Sequence, residues 1–303
     1  MISGVDQGDM VRPRRRLRIL STEKHLSSGL SWLLLSPVLL IYAIIFVFPI
    51  SVIVFQSVFD PVFTLDNYRM IVSESLFLKV VWRTVWISFI VAVVCLFLGY
   101  PVAALMAKVR GKWAAAAIAA SVLIPLWLSV LVRSYAWVVL LSKNGLITSA
   151  LRDVGLISKS TRIIFTDFSV VLAMSHVLLP FMILPLYASL SSISDDYAKA
   201  AESLGARPTM TFFAVTLPLS APGIYSGLVL VFVVSLGFFV TPQLVGGPNS
   251  MLAAMLISRE ATYGNNWGLA SALSVTLFIA AILVVALFGR LANFSQPKQE
   301  KAQ

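Results

Sequence analysis

Apolar residues fall in six long runs: Trp32 to Phe55, Val85 to Ala107, Ala114 to Leu141, Ser169 to Leu190, Pro222 to Gln243 and Leu269 to Leu291. A helix needs about 20 mainly apolar residues to cross a bilayer, and each run meets that length. The pattern predicts an all-α membrane protein with six transmembrane helices. An even number of crossings returns both termini to one side. The basic N-terminus, the Lys108-Arg110-Lys112 turn, the loop carrying Lys199 and the tail with Lys298 and Lys301 share that side, which the positive-inside rule makes the cytoplasm. The expected division is a basic cytoplasmic tail over 1–28, a membrane domain over 29–292 containing a polar loop at 191–218, and a second cytoplasmic tail over 293–303. Lys143, Arg152, Lys159 and Arg162 fall on the opposite side, in a longer loop where the charge bias counts for less.

The external segments, Asp60 to Lys79, Ser142 to Phe168 and Val245 to Asn266, are amphipathic, as in LITSALRDVGLI from Leu146 to Ile157. They predict short interfacial helices capping the outer mouth. Prolines recur within the apolar runs at 37, 49, 101, 125, 180, 185, 222 and 242. Each interior proline frees a carbonyl, which membrane proteins tolerate where the segment packs in protein or lines a wet cavity. Bent helices around a pathway and kinked structural helices both fit.

Composition agrees. Of 303 residues 59% are apolar and 12% charged, too little polar surface to cover a soluble globule of this length. The net charge of +10 follows the membrane topology, as in the run Arg12 to Arg18 ahead of the first apolar segment, so lipid is the expected partner and nucleic acid is not. The one cysteine, Cys95, lies in an apolar run and excludes an intramolecular disulfide. The first apolar run is longer than a signal-peptide core and lacks a small-residue cleavage site, which predicts a retained span.

Arg83 lies near the outer end of the second run, where it can snorkel; Arg133 lies deeper, where insertion costs about 2.5–3.5 kcal/mol. Arg133 must face protein or water, either pairing with helix-end carbonyls or an acid such as Asp167, or contacting a solute. His176 reads as a hydrogen-bonded packing residue. Trp127, Tyr135, Trp137, Tyr187, Phe238 and Phe239 are candidates for a solute path, because aromatic faces attract cations, and each also suits packing. Asp167 is a candidate acid at the mouth of such a path.

The polar interruption Tyr197 to Ile224, YAKAAESLGARPTMTFFAVTLPLSAPGI, is the long non-membrane stretch between two apolar runs. Ser194 or Asp195 can cap a helix whose first turn carries Asp195 and Asp196 at the positive dipole end. Ala200, Ala201 and Leu204 form a small apolar face, Gly205 stands where the helix stops and a positive φ is needed, and Pro208 can open a second helix without losing a hydrogen bond. The expected product is a helix-turn-helix whose alanine face lets another protein approach closely.

That stretch resembles the "EAA" loop of bacterial ABC-importer permeases, E-A-A-x(3)-G-x(9)-I-x-L-P. Ala200-Ala201, Gly205, Val215, Leu217 and Pro218 match it without a gap, while Lys199 replaces the Glu and Val215 the Ile. LDNYRMIV at Leu65 to Val72, VRSYAWVVLLSKNG at Val132 to Gly145, LLPFMILPLYASL at Leu178 to Leu190 and SLGFFVTPQLVGGP at Ser235 to Pro248 look like the spermidine/putrescine branch. The resemblance implies the type I ABC importer permease fold in a bacterial inner membrane. It also implies a second permease chain, two cytoplasmic ATPase subunits that bind Mg-ATP, and a periplasmic solute-binding protein. The ATPase-coupling positions would be Lys199, Ala200, Ala201, Glu202, Leu204, Gly205, Val215, Leu217 and Pro218. Polyamine is the solute the branch implies; opine, aminoalkylphosphonate and ferric iron importers have similar permeases.

No phosphate-binding G-x(4)-G-K-[ST] loop, H-E-x-x-H or intramembrane-protease Gly-x-Ser-Gly occurs. The chain is expected to be no enzyme, to bind no cofactor or metal, and to receive energy through a contact. A stand-alone ion-coupled transporter would instead call for a paired intramembrane carboxylate or broken-helix repeats.

Overall fold

The computed structural model describes residues 28–59, 62–109, 111–158 and 160–295. The basic run Arg12 to Arg18, Arg110, Lys159, Lys298 and Lys301 lie outside the described residues.

The chain divides into two compact units at Ile50/Ser51. Among the described residues the first holds helix α1 (Ser28–Tyr42), a π turn over Ala43–Val47, and the start of α2 (Phe48–Val58). The second holds the remaining elements: α3 (Asp66–Ser73), α4 (Ser75–Lys108), α5 (Lys112–Trp127), α6 (Val130–Leu141), α7 (Leu146–Asp153) and α8 (Asp167–Ser191). After these come α9 (Asp195–Ser203), α10 (Pro208–Thr211), a π turn over Phe212–Thr216, α11 (Leu217–Leu219), α12 (Ala221–Leu236), α13 (Val240–Val245), α14 (Ala253–Thr262) and α15 (Trp267–Ser295). Among the described residues five helical runs are long and apolar enough to cross a membrane, and Pro208–Leu219 with Ala221–Leu236, bent by 61°, makes a sixth if the pair is one span.

Two of the expected runs are interrupted. The third breaks at Leu128–Ser129 between α5 and α6, and the fifth ends at Leu236, before Gly237 and the short α13. Leu128 and Ser129 are extended, at ψ 138 for each. Pro125, in the last turn of α5, cannot donate to the carbonyl four residues back. The amphipathic segments expected outside the membrane do form short helices, α3, α7 and α14.

Each π turn ends just before a proline. The Phe48 N–H reaches back to Ala43 and the Leu217 N–H to Phe212, and Pro49 and Pro218 follow. A proline ring crowds the carbonyl four residues back and leaves it without a donor. The wider π turn spreads that crowding without ending the helix.

The core is the trio α4, α8 and α12, where Ile87, Val91, Cys95, Met174, Leu178, Val231 and Phe232 are buried. Small residues set its spacing. A Cβ on Gly223 would lie 2.4 Å from Ser189 Cβ and one on Gly227 2.6 Å from Met182 Sδ, while Gly99 faces Met182 from the other side at 3.2 Å. Backbones this close are what small-residue stripes achieve in membrane helices, where dispersion and not water exclusion drives association. Hydroxyls fasten the surrounding elements: Ala253, at the start of α14, donates its N–H to Thr84 Oγ1 of α4 (2.8 Å), and Ser134 and Thr241 share a 2.7 Å bond between α6 and α13.

Candidate functional site

The polar loop forms the expected helix-turn-helix. Ser194 caps α9 by accepting the Asp196 N–H (3.2 Å), with Asp195 and Asp196 in the first turn. At the other end the Ala206 N–H reaches the Ala201 carbonyl (3.0 Å) and the Gly205 N–H the Glu202 carbonyl (2.9 Å). That is a Schellman stop, with Gly205 at φ +85. Nothing lies within 4 Å of a Cβ placed on Gly205, so glycine is needed there for its backbone and not for space. Pro208 opens α10 at its first turn.

The loop presents apolar groups outward. Leu204 is 90% exposed, and Tyr197, Met210 and Phe213 are exposed beside it. Ala200 is exposed and Ala201 half-buried. Lys199 and Glu202 are exposed, and Lys199 lies 3.6 Å from Asp196, one turn back. At such exposure this pair adds little to stability and leaves the lysine reachable by another charge.

The loop is fastened to the core at its bend. Ser220, fully buried, stands between α11 and α12, and its hydroxyl meets the Tyr100 hydroxyl of α4 at 3.0 Å. The Tyr100 ring also packs edge-on against Phe212 at 5.7 Å. One side chain of α4 therefore holds both the start of the π turn and the break that follows α11. Val215 and Leu217 are half-buried and Pro218 is exposed between those two points.

The solute-path candidates are spread over α5, α6, α8 and the α12–α13 connection. Trp127 ends α5 and is 88% exposed; Tyr135 and Tyr187 are exposed on α6 and α8. Trp137 donates its indole N–H to His176 Nδ1 at 3.3 Å, so His176 serves as a packing acceptor. Arg133 is only 7% exposed and donates to the carbonyl of Val177 at 3.3 Å. Asp167 is not its partner, since that carboxylate lies 3.8 Å from Arg83 at the start of α8. Phe238 packs against the core cluster, and Phe239 borders an apolar cavity of 460 Å³ between α12, α14 and α15.

Tyr100, Phe212 and Ser220 were not legible as functional positions. Gly223 and Gly227 did carry a readable signal, the G-x(3)-G spacing of closely packed membrane helices. Among the described residues no cluster of His, Cys, Asp and Glu could hold a metal ion.

A family model described as "Binding-protein-dependent transport system inner membrane component" matches residues 99–301. The chain is 34% identical over 237 residues to the spermidine/putrescine transport system permease protein PotB of Haemophilus influenzae, covering 78% of this chain and 82% of that one. It is 32% identical over 239 residues to PotB of Escherichia coli K12, covering 79% and 86%. In fold it is similar to a chain of a bacterial alginate ABC transporter solved with its alginate pentasaccharide-bound periplasmic protein. There the TM-score is 0.69 at 21% identity, covering 87% of this chain and 95% of that one.

Proposed function

The chain belongs to the family of binding-protein-dependent transport system inner membrane components, and from that membership we propose that it is the permease subunit of an ATP-driven importer of polyamines such as spermidine and putrescine. The observation that carries the coupling role is the exposed α9 helix-turn-helix, stopped at Gly205 and joined to the membrane core through Tyr100 and Ser220. The loop end and both termini face the cytoplasm.

Two ATPase subunits bind Mg-ATP and hydrolyse it; this chain does neither. α9 seats its face of Ala200, Ala201 and Leu204 in a groove of one ATPase. When ATP closes the ATPase pair, α9 moves with its subunit. The helical run from Pro208 carries that displacement to the 61° bend and into α12. A second permease chain completes the pathway, a periplasmic binding protein delivers solute to the outward-open state, and hydrolysis returns the complex inward.

Polyamine as solute rests on the names of the curated relatives. A second reading keeps the mechanism and changes the solute to an opine, an aminoalkylphosphonate or ferric iron. The scarcity of acids favours the opine and the aminoalkylphosphonate over either cation: among the described residues the six crossings contain two carboxylates, Asp153 and Asp167, each at the end of its span. A polycation would therefore take its carboxylates from the mouth or the partner permease.

The test is ATPase activity of the complex in lipid with its binding protein, across polyamines, opines, aminoalkylphosphonates and ferric iron. Stimulation by spermidine or putrescine alone is expected. Stimulation by another solute replaces the substrate, and failure to copurify with an ATPase overturns the importer reading.

A further inference from the structure

Lys143 and Arg162 belong to the four basic residues that run against the charge bias of the topology, and both border one cavity. This cavity, of 330 Å³, lies between the end of α6, α7 and the segment 162–165. Its walls are apolar, from Val138, Leu141, Ile163 and Phe165. Both cationic side chains are exposed, and neither makes an ion pair among the described residues. We propose that this cavity is a binding site for an anionic phospholipid, with Lys143 and Arg162 holding the headgroup phosphate and the apolar walls taking part of one acyl chain.

Three observations favour a lipid. First, α7 beside the cavity is amphipathic, and Leu146, together with Val154 and Leu156 just past the helix, points apolar surface outward. A helix of that kind lies in the plane of the membrane interface, at the depth of the headgroups. Second, the Lys143 side of the rim is built into the fold: Arg152 of α7 donates to the backbone carbonyl of Lys143 at 3.1 Å, and Thr148 donates to that of Leu141 at 3.1 Å. The position of Lys143 is thereby tied to α7. Third, the nearby acids leave the cations uncompensated, because Asp167 is engaged by Arg83 and Asp153 is not among the cavity-lining residues. A basic rim over an apolar slot matches the two chemistries of an anionic lipid, and each cation near a charged membrane surface contributes a comparable share of the attraction.

The full chain, purified in its complex and exchanged into micelles containing equal phosphatidylglycerol and phosphatidylcholine, would be examined by native mass spectrometry for retained lipid. Retention of phosphatidylglycerol over phosphatidylcholine is expected. Lys143→Gln with Arg162→Gln should reduce that preference about thirtyfold, whereas Lys143→Arg with Arg162→Lys should keep it. Equal retention of the two lipids by the native protein overturns the proposal, as does an undiminished preference in the Gln variant. So does a Gln variant whose lipid preference is intact but whose affinity for the binding protein has fallen, since that assigns the rim to a protein contact. The Arg/Lys exchange guards against a folding artefact, because it preserves charge at both positions.

Discussion

The hydroxyls of Tyr100 and Ser220 lie 3.0 Å apart, joining the stretch between the α9 loop and α12 to the longest helix of the core. The same tyrosine ring touches Phe212, so removing the hydroxyl and removing the ring test different things. Tyr100→Phe keeps the packing and loses a hydrogen bond of about 1 kcal/mol. Solute-stimulated ATPase activity should fall several-fold while basal ATPase activity is unchanged. Ser220→Ala should do the same, and the double variant should be no worse than either single one. Additive losses in that cycle would show that the bond does not couple the two elements.

Gly205 tests the stop of α9. Its φ of +85 costs a residue with a Cβ roughly 1–2 kcal/mol, more where the side chain is β-branched. Gly205→Val should lower solute uptake by at least about tenfold while the protein still reaches the membrane. Gly205→Asn should retain most uptake, because Asn adopts that region readily. The space around the position is open, so equal losses from Val and Asn would move the cause from backbone to surface contact.

The contrast between these two sites shows what a sequence can carry. Ser194, Gly205 and Pro208 act through local backbone rules, and local rules leave local signals: a cap, a positive φ and a missing N–H. Tyr100 and Ser220 are 120 residues apart, and nothing near either one announces the other. The same division holds for Arg133, whose depth was readable from its apolar run but whose partner, the carbonyl of Val177, depends on how α6 meets α8. The breaks at Leu128 and Gly237 were hidden because the apolar runs continue through them. Periodicity registers where a helix is buried in lipid, and does not register where its hydrogen bonds stop.

Gly223 measures the closeness of α8 and α12. A Cβ there meets Ser189 Cβ at 2.4 Å and the Pro185 carbonyl at 2.9 Å. Gly223→Ala should therefore destabilise the protein by about 1–3 kcal/mol, seen as a lower unfolding temperature in detergent. Ser189→Gly in the same chain removes the nearer obstacle and should recover part of the loss. The Pro185 carbonyl remains, so recovery should be incomplete. Full stability of Gly223→Ala alone would mean that the two helices separate at little cost.

Arg133 distinguishes structure from transport. It is buried, it binds the Val177 carbonyl, and its Nε has no partner among the described residues. Pro180 deprives the His176 carbonyl of its helical donor, so α8 is short of one donor a residue away from where the guanidinium arrives. If Arg133 serves α8, Arg133→Gln should lower the unfolding temperature and the amount of assembled complex. The solute concentration giving half-maximal ATPase stimulation should stay the same. A guanidinium that meets the solute gives the opposite pattern: the half-maximal concentration moves several-fold and stability changes little. Arg133→Lys sharpens the comparison. It keeps the charge but not the planar fork that reaches a carbonyl at this depth, so the structural role requires it to lose stability as Gln does, whereas a purely electrostatic contact with solute would be preserved.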